Sequence, residues 1–203
     1  MDEAKIQFSP AEMELMNNAG IILTKNRVLQ KMKYLLEGIQ EEMVHRAYRE
    51  PDLNSSEVFQ ASPKISKGEN YLGLPYLVLD YPRHFDSINI FAIRTMFWWG
   101  HTFSSTLHLA GDQKEAFLPL IEAGYDLLKE QHYSIGLNED PWQHHFEEDN
   151  YRSIAELDKD SFIHYCRQYD HLKIAKKWPL WDAHFVNEDL VESWRLFLKL
   201  CFP

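Results

Sequence analysis

His84 and Asp86 stand one residue apart in a chain that holds ten His among 203 residues. A His-x-Asp pair, a distant His and an Arg are the side chains of a mononuclear iron site. There, two imidazoles and a carboxylate take one face of Fe(II) and leave positions open for oxygen and substrate. The metal set on this reading is His84, Asp86 and His145, with His144 as the other choice for the distant imidazole. Arg152 would clamp an acidic cosubstrate. Chance dilutes the signal. With 31 acids, ten His give about 1.5 His-x-acid pairs at random, and the chain has two, His84/Asp86 and His145/Glu147. The alternative is that His84 and Asp86 are turn residues in the 82–87 connection.

His144-His145-Phe146-Glu147-Glu148-Asp149 places five ligand-type side chains in six positions. Neighbouring residues diverge in a strand or a helix, so only an irregular loop could converge them on one ion. EF-hand spacing with its central Gly is absent. A solvated acidic loop is the favoured reading. On that reading, replacing His144 and His145 with Ala changes stability by no more than about 0.5 kcal/mol.

Arg94 is the candidate ligand-binding residue. It lies inside the apolar run Phe91-Ala92-Ile93-Arg94-Thr95-Met96-Phe97. A half-buried guanidinium needs an anion or several acceptors. A two-residue Gly100-His101 turn would pair Arg94 with Leu107 and set it on one face with Met96, Trp98, Phe103 and Ser105. The simplest register around 82–87 puts Asp80 opposite Asn89, about 16 Å along the strand from Arg94. Arg94 then takes its anion from a helix, or from a small carboxylate or phosphate ligand. Trp98-Trp99 at the hairpin tip is a candidate contact for a partner chain.

The elements that must position these residues follow from periodicity. Ser9-Pro10-Ala11-Glu12 has the pattern of a capped helix start. Val28, Met32, Leu35, Ile39 and Met43 form one apolar stripe, which predicts a helix over Thr24–Tyr48. Residues 49–70 are rich in Ser, Pro and Asn and read as a long loop. Strands are expected over 74–81, where Pro82 stops the first, then 88–99 and 102–109, with a possible fourth at 131–137. A helix follows Gly111, and another spans Ser161–Lys177. Residues 137–160 read as an acidic irregular segment. Asn187 caps a final helix striped by Leu190, Val191, Trp194, Phe197, Leu198 and Cys201. The expected fold is α+β: an antiparallel meander of three to four strands (about 74–109, possibly 131–137) packed by N-terminal and C-terminal helices. Residues 1–203 read as a single domain, with helices on both sheet faces or one face against another chain.

Composition bounds the function. The formal charge is −10, and hydrophobic residues are 45% of the chain. A nucleic-acid surface needs concentrated cations. The densest group, Lys173, Lys176 and Lys177, reads as the end of a helix, where cations complement the dipole. Nucleic acid and anionic membranes are therefore disfavoured as partners. Met1–Gln7 lacks a signal pattern, and no apolar run reaches the roughly 18 residues of a membrane span. The expected location is cytoplasmic. Cys166 and Cys201, the two cysteines, fall on apolar helix faces and read as buried reduced thiols. Gly-rich phosphate loops, GxSxG and HExxH are absent. The reading is a non-catalytic binding or interaction protein, with a protein partner or a small anionic ligand. The alternative is a metal-dependent enzyme using His84, Asp86 and a later His.

Overall fold

The computed structural model describes residues 6–182 and 186–203. Residues 1–5, part of the stretch read for a leader, lie outside it. The class is α+β. The seven described strands are β1 (Lys64–Tyr71), β2 (Leu74–Phe85), β3 (Ile90–Trp98), β4 (Thr102–Ala110), β5 (Ser134–Gly136), β6 (Tyr151–Ser153) and β7 (His171–Pro179). They form one antiparallel sheet in the order β1-β2-β3-β4-β7-β5-β6. The meander of three to four strands is therefore its central part.

The extra strands come from three stretches read otherwise, one of them the short β6 inside the 137–160 segment. Residues 49–70 are not one loop: they hold helix α3 (Pro51–Ser55), a short 3-10 turn and β1. β1 is an edge strand carrying Lys64, Ser66, Lys67, Gly68 and Glu69, and polar edge strands resist pairing with other chains. Such a strand has little apolar alternation to betray it. Residues 171–177 are not the end of a helix. Helix α6 (Lys159–Arg167) stops earlier, and β7 inserts between β4 and β5. Leu172, Ile174 and Trp178 alternate into the core there, a period of two that the preceding helical stripe concealed.

Register differs from expectation at both central hairpins. β2 runs through Pro82 to Phe85, and its register with β3 shifts by one residue between Asp80 and Arg83. Pro82 sits inside that bulge, where its missing N–H costs no ladder bond. Asp80 is thereby opposite Arg94, not Asn89. At the β3–β4 tip, His101 N donates to Trp98 O at 3.1 Å, and Gly100 has φ 74°. That is a type II turn, which reserves its third position for Gly. Phe97 then pairs with Phe103, and Arg94 with Thr106 rather than Leu107. A slip of one residue moves every β4 side chain to the other face.

Among the described residues, helices cover one sheet face only. α2 (Ala19–Arg49), α4 (Gly111–Ala123), α5 (Tyr125–Glu130), α6 and α7 (Val186–Cys201) all contribute to the main core. Its sheet side includes Leu77, Leu79, Phe91, Ile93, Phe97, Phe103, Leu107, Leu109 and Ile174. The predicted α7 stripe is buried throughout, but the helix starts at Val186, so Asn187 lies in its first turn and does not cap it. Trp194 of this helix donates to Tyr81 O at 3.0 Å. The predicted cap of α1 (Pro10–Asn17) is present: Glu12 N donates to Ser9 Oγ, and Ser9 N donates to Glu12 Oε2. No described helix is long and apolar enough to cross a membrane.

Cys166 and Cys201 are free and buried, as expected. Burial pushes each thiol up to about 12, so neither holds an appreciable thiolate fraction near neutral pH. Both should resist a thiol-labelling reagent in the native protein and react once denaturant is added. Rapid labelling of either one without denaturant would mean that its helix face is open.

Candidate functional site

Asp80, Arg94, Thr106, His108 and Lys173 lie on the sheet face that the helices leave bare, because residues directly paired across strands point the same way. Residues 137–150 cover that face. This segment is irregular, as expected, but the acidic reading holds only for its outer side. Glu147, Glu148 and Asp149 are exposed, whereas His144 and His145 face inward. The irregular stretch is also shorter than expected, because β6 and α6 begin before residue 160.

Arg94 sits at the centre of this face. Its Nε donates to Asp80 Oδ1 at 2.8 Å, and its Nη2 donates to Asp80 Oδ2 at 3.0 Å. The pair is bidentate, with side-chain exposures of 17% and 9%, so little solvent screens it. Arg94 Nη1 lies 3.1 Å from His144 Nε2. A guanidinium only donates, so His144 Nε2 must accept, and the neutral ring carries its proton on Nδ1. Burial, then the neighbouring Arg94, Lys173 and His145, lower His144 from its ordinary 6.5 to about 3. The cover is pinned beside it: His144 N and His145 N both donate to Tyr71 Oη, at 2.6 and 3.0 Å.

Lys173 is the second buried cation, only 1% exposed. Its ammonium donates to Gln143 O at 2.6 Å and lies 5.0 Å from the centre of the Tyr151 ring. Burial lowers it from 10.5 to about 8. His108, cross-strand from Lys173, is buried against Trp142 and His171, with ring centres 5.4 and 6.1 Å away. Burial first, then Lys173 and His171, hold it uncharged. Its Nε2 has no hydrogen-bond partner among the described residues.

The arrangement is a polar layer paired largely within the chain. Arg94 meets the buried Asp80 carboxylate, the neutral His144 ring accepts from a further Arg94 donor, and the Gln143 carbonyl accepts from Lys173. Arg94 thus takes its anion from within the chain, from the acid that the simplest register had excluded. The metal set does not converge. His84 lies 3.9 Å from both Glu57 and Asp86. Asp86 instead accepts from Ile88 N, Asn89 N and Asn89 Nδ2 at 2.7, 2.6 and 3.1 Å, the turn role given as the alternative. His145 sits under the cover, 3.8 Å from Asp149. Arg152 donates to Tyr165 Oη. Among the described residues no three His, Cys, Asp or Glu side chains group to hold an ion. The two-residue turn sets His108 on the face opposite Arg94, and the basic group sets Lys173 at a helix end; the observed register brings both to the face of Arg94, and only the alternation of β7 could have shown that Lys173 points inward.

A second surface has the opposite character. Every residue from Ile6 to Thr24 is exposed, although most of this stretch is helical. It presents Ile6, Phe8, Met13, Leu15, Met16, Ile21, Ile22 and Leu23. Asn18 breaks the helix, and its side chain accepts from Gly20 N at 3.1 Å to start α2. Two apolar hollows adjoin this arm. One, of about 600 Å³, is walled by Ile21, Thr24, Leu74, Pro75 and Trp99. The next, of about 420 Å³, shares Trp99 and adds Val28, Met32, Phe97, Phe103 and Leu180. Trp99, one of the two adjacent Trp noted in the sequence, lines both, whereas Trp98 is buried on the polar face.

Arg94→Met should cost about 3–5 kcal/mol in a denaturant titration, because it strands the Asp80 carboxylate. Adding Asp80→Leu should restore most of the loss. A single variant as stable as wild type would place the pair in solvent. The pH dependence has a definite sign. Between pH 6.5 and about 3 the unfolded chain binds a proton at residue 144 that the folded protein does not. Stability therefore falls as pH drops through that window, by up to about 1.4 kcal/mol per unit from this residue. His144→Gln should flatten the slope between pH 6.5 and 5, and an unchanged slope would show that His144 titrates normally.

Comparison of the chain with protein-family models, curated proteins and solved structures finds no match.

Proposed function

We propose that this is a non-catalytic interaction protein, and that the arm Ile6–Thr24 docks onto another polypeptide. The observation that carries the reading is a largely helical apolar segment in which every residue is exposed. Monomeric proteins rarely present contiguous apolar surface beyond a few hundred Å². α1 has eight residues and buries none of them. A helix that short is marginal in water, and its capping box alone adds little. Docking would supply the burial that the rest of the chain does not give it.

The polar face supports the same reading from the other side. Its Arg94 already holds an internal carboxylate, so a small anionic ligand has no free guanidinium to bind there. The scattered positions of His84, Asp86 and His145 give the metal-enzyme alternative no centre to work from.

A photo-crosslinking residue at Leu15, Met16 or Ile22, in the full chain in cells, should give a discrete higher-mass adduct. The same residue at exposed Glu148 should not. Leu15→Asp with Ile22→Asp should abolish the adduct formed from Met16 while leaving far-UV circular dichroism and Tm close to wild type, since both side chains are exposed. No discrete adduct from any of the three arm positions would overturn the proposal.

A further inference from the structure

We infer that the polypeptide onto which the arm docks is a second copy of this chain. The inference rests on the docking reading above and names its partner. It would be a two-fold dimer in which each arm lies in the apolar groove of the other copy.

Three observations point this way. First, the chain holds both halves of the contact. The arm is apolar, and the groove walled by Leu74, Pro75 and Trp99 and extended by Val28, Met32 and Leu180 begins at its root. A two-fold operation places each arm on the other copy's groove, and the contact closes on itself. A closed contact leaves no apolar surface to propagate into fibres.

Second, charge is segregated along this segment in a self-complementary way. Residues 6–24 carry Glu12 and Glu14 and no base. Residues 25–36 carry Lys25, Arg27, Lys31 and Lys33 and no acid. An antiparallel pairing centred near Ile22 sets Glu12 and Glu14 of one copy beside Lys31 and Lys33 of the other. Within one chain, Lys25 bonds Glu69 at 2.6 Å and Lys33 meets Glu37 at 3.2 Å. Arg27 donates to Thr24 Oγ1 at 3.0 Å and makes no ion pair with an acid among the described residues. A chain of charge −10 would otherwise repel its copy, and this basic stretch is where that repulsion is locally reversed.

Third, the area calls on both elements. The eight arm side chains are between 42% and 83% exposed, and a standard interface takes roughly 800 Å² from each partner, so the arm needs the groove beside it to make up the contact. An anionic membrane fits worse, because the arm is acidic and the polybasic character of surface-binding helices is missing from it.

Sedimentation velocity of the purified full chain tests this, with the crosslinking residue at Met16 as a parallel measurement. The expected species has twice the 24.1 kDa chain mass, and the crosslinked product is a homodimer. Leu15→Asp with Ile22→Asp should give monomer with an unchanged Tm. Glu14→Lys, which spares the Ser9–Glu12 cap, should weaken the dimer several-fold, and adding Lys31→Glu, which spares the Lys33–Glu37 pair, should recover most of that loss. A chain monomeric at high concentration that crosslinks in cells to a different protein overturns the second copy but leaves arm docking standing. Monomer with no adduct at all overturns both. A dimer indifferent to the arm substitutions also overturns the inference, since its interface would lie elsewhere.

Discussion

The ion pair between Asp80 and Arg94 is the constraint on which the bare face of the sheet depends. Both groups lie mid-strand and nearly out of solvent. Neither can lose the other without leaving a desolvated charge, a cost of several kcal/mol. The pair therefore holds β2 and β3 in one register, and the Pro82 bulge absorbs the residue by which the far end of the hairpin is out of step. Arg94 has donors left after Asp80, and His144 takes one of them. That bond, with Tyr71 Oη below two consecutive amides, seats the 137–150 segment. The seated segment then brings Gln143 O to the Lys173 ammonium. One cross-strand pair thus leads, contact by contact, to the covering of a face that no helix reaches.

Much of the helical half was legible because its physics is local. Ser9 and Glu12 cap α1 as their spacing implies, and the stripes of α2 and α7 bury residues recurring every three or four positions. The α+β class followed from the same periodicities. Sheet register is another matter, since it rests on turn geometry at single residues. Gly100 in a type II turn, rather than a two-residue turn, moved Thr106 and His108 onto the face of Arg94. Pro82 was read as a stop because a proline breaks an ordinary ladder, and a bulge is where it does not. β7 was hidden because its core residues continue the apolar content of α6. Lys173 misled for a related reason: an ammonium in a strand interior is rare, and its acceptor is a main-chain carbonyl that no sequence pattern marks.

The candidate site changed for these same reasons. A half-buried Arg94 does need an anion, and the one-residue shift at Pro82 is what brings Asp80 opposite it. By charge count His144 is one of many polar groups in an acidic run, yet its ring, like that of His145, turns inward. The alternation of direction along 144–149 separates two imidazoles from three carboxylates. A solvated acidic edge and a buried neutral His are two sides of a single irregular segment.

The polar face and the apolar arm differ in what each still lacks. Beneath the cover, Asp80, Arg94, His144 and Lys173 all have partners within the chain, and the cost of burying them is offset there. Such a layer stabilises and specifies the fold, and His108 Nε2 is a polar atom that it leaves without a partner among the described residues. The arm has the reverse balance. Its backbone bonds are made, but its side chains remain in water, so the favourable term of order 25 cal/mol per Å² of apolar area is still outstanding. That unrealised burial, and not the conspicuous cluster of ionisable groups, is the free energy available to drive association. The acids of the arm and the bases of α2 add direction to it. In the proposed dimer they would favour an antiparallel mate, whereas apolar contact alone would accept either orientation.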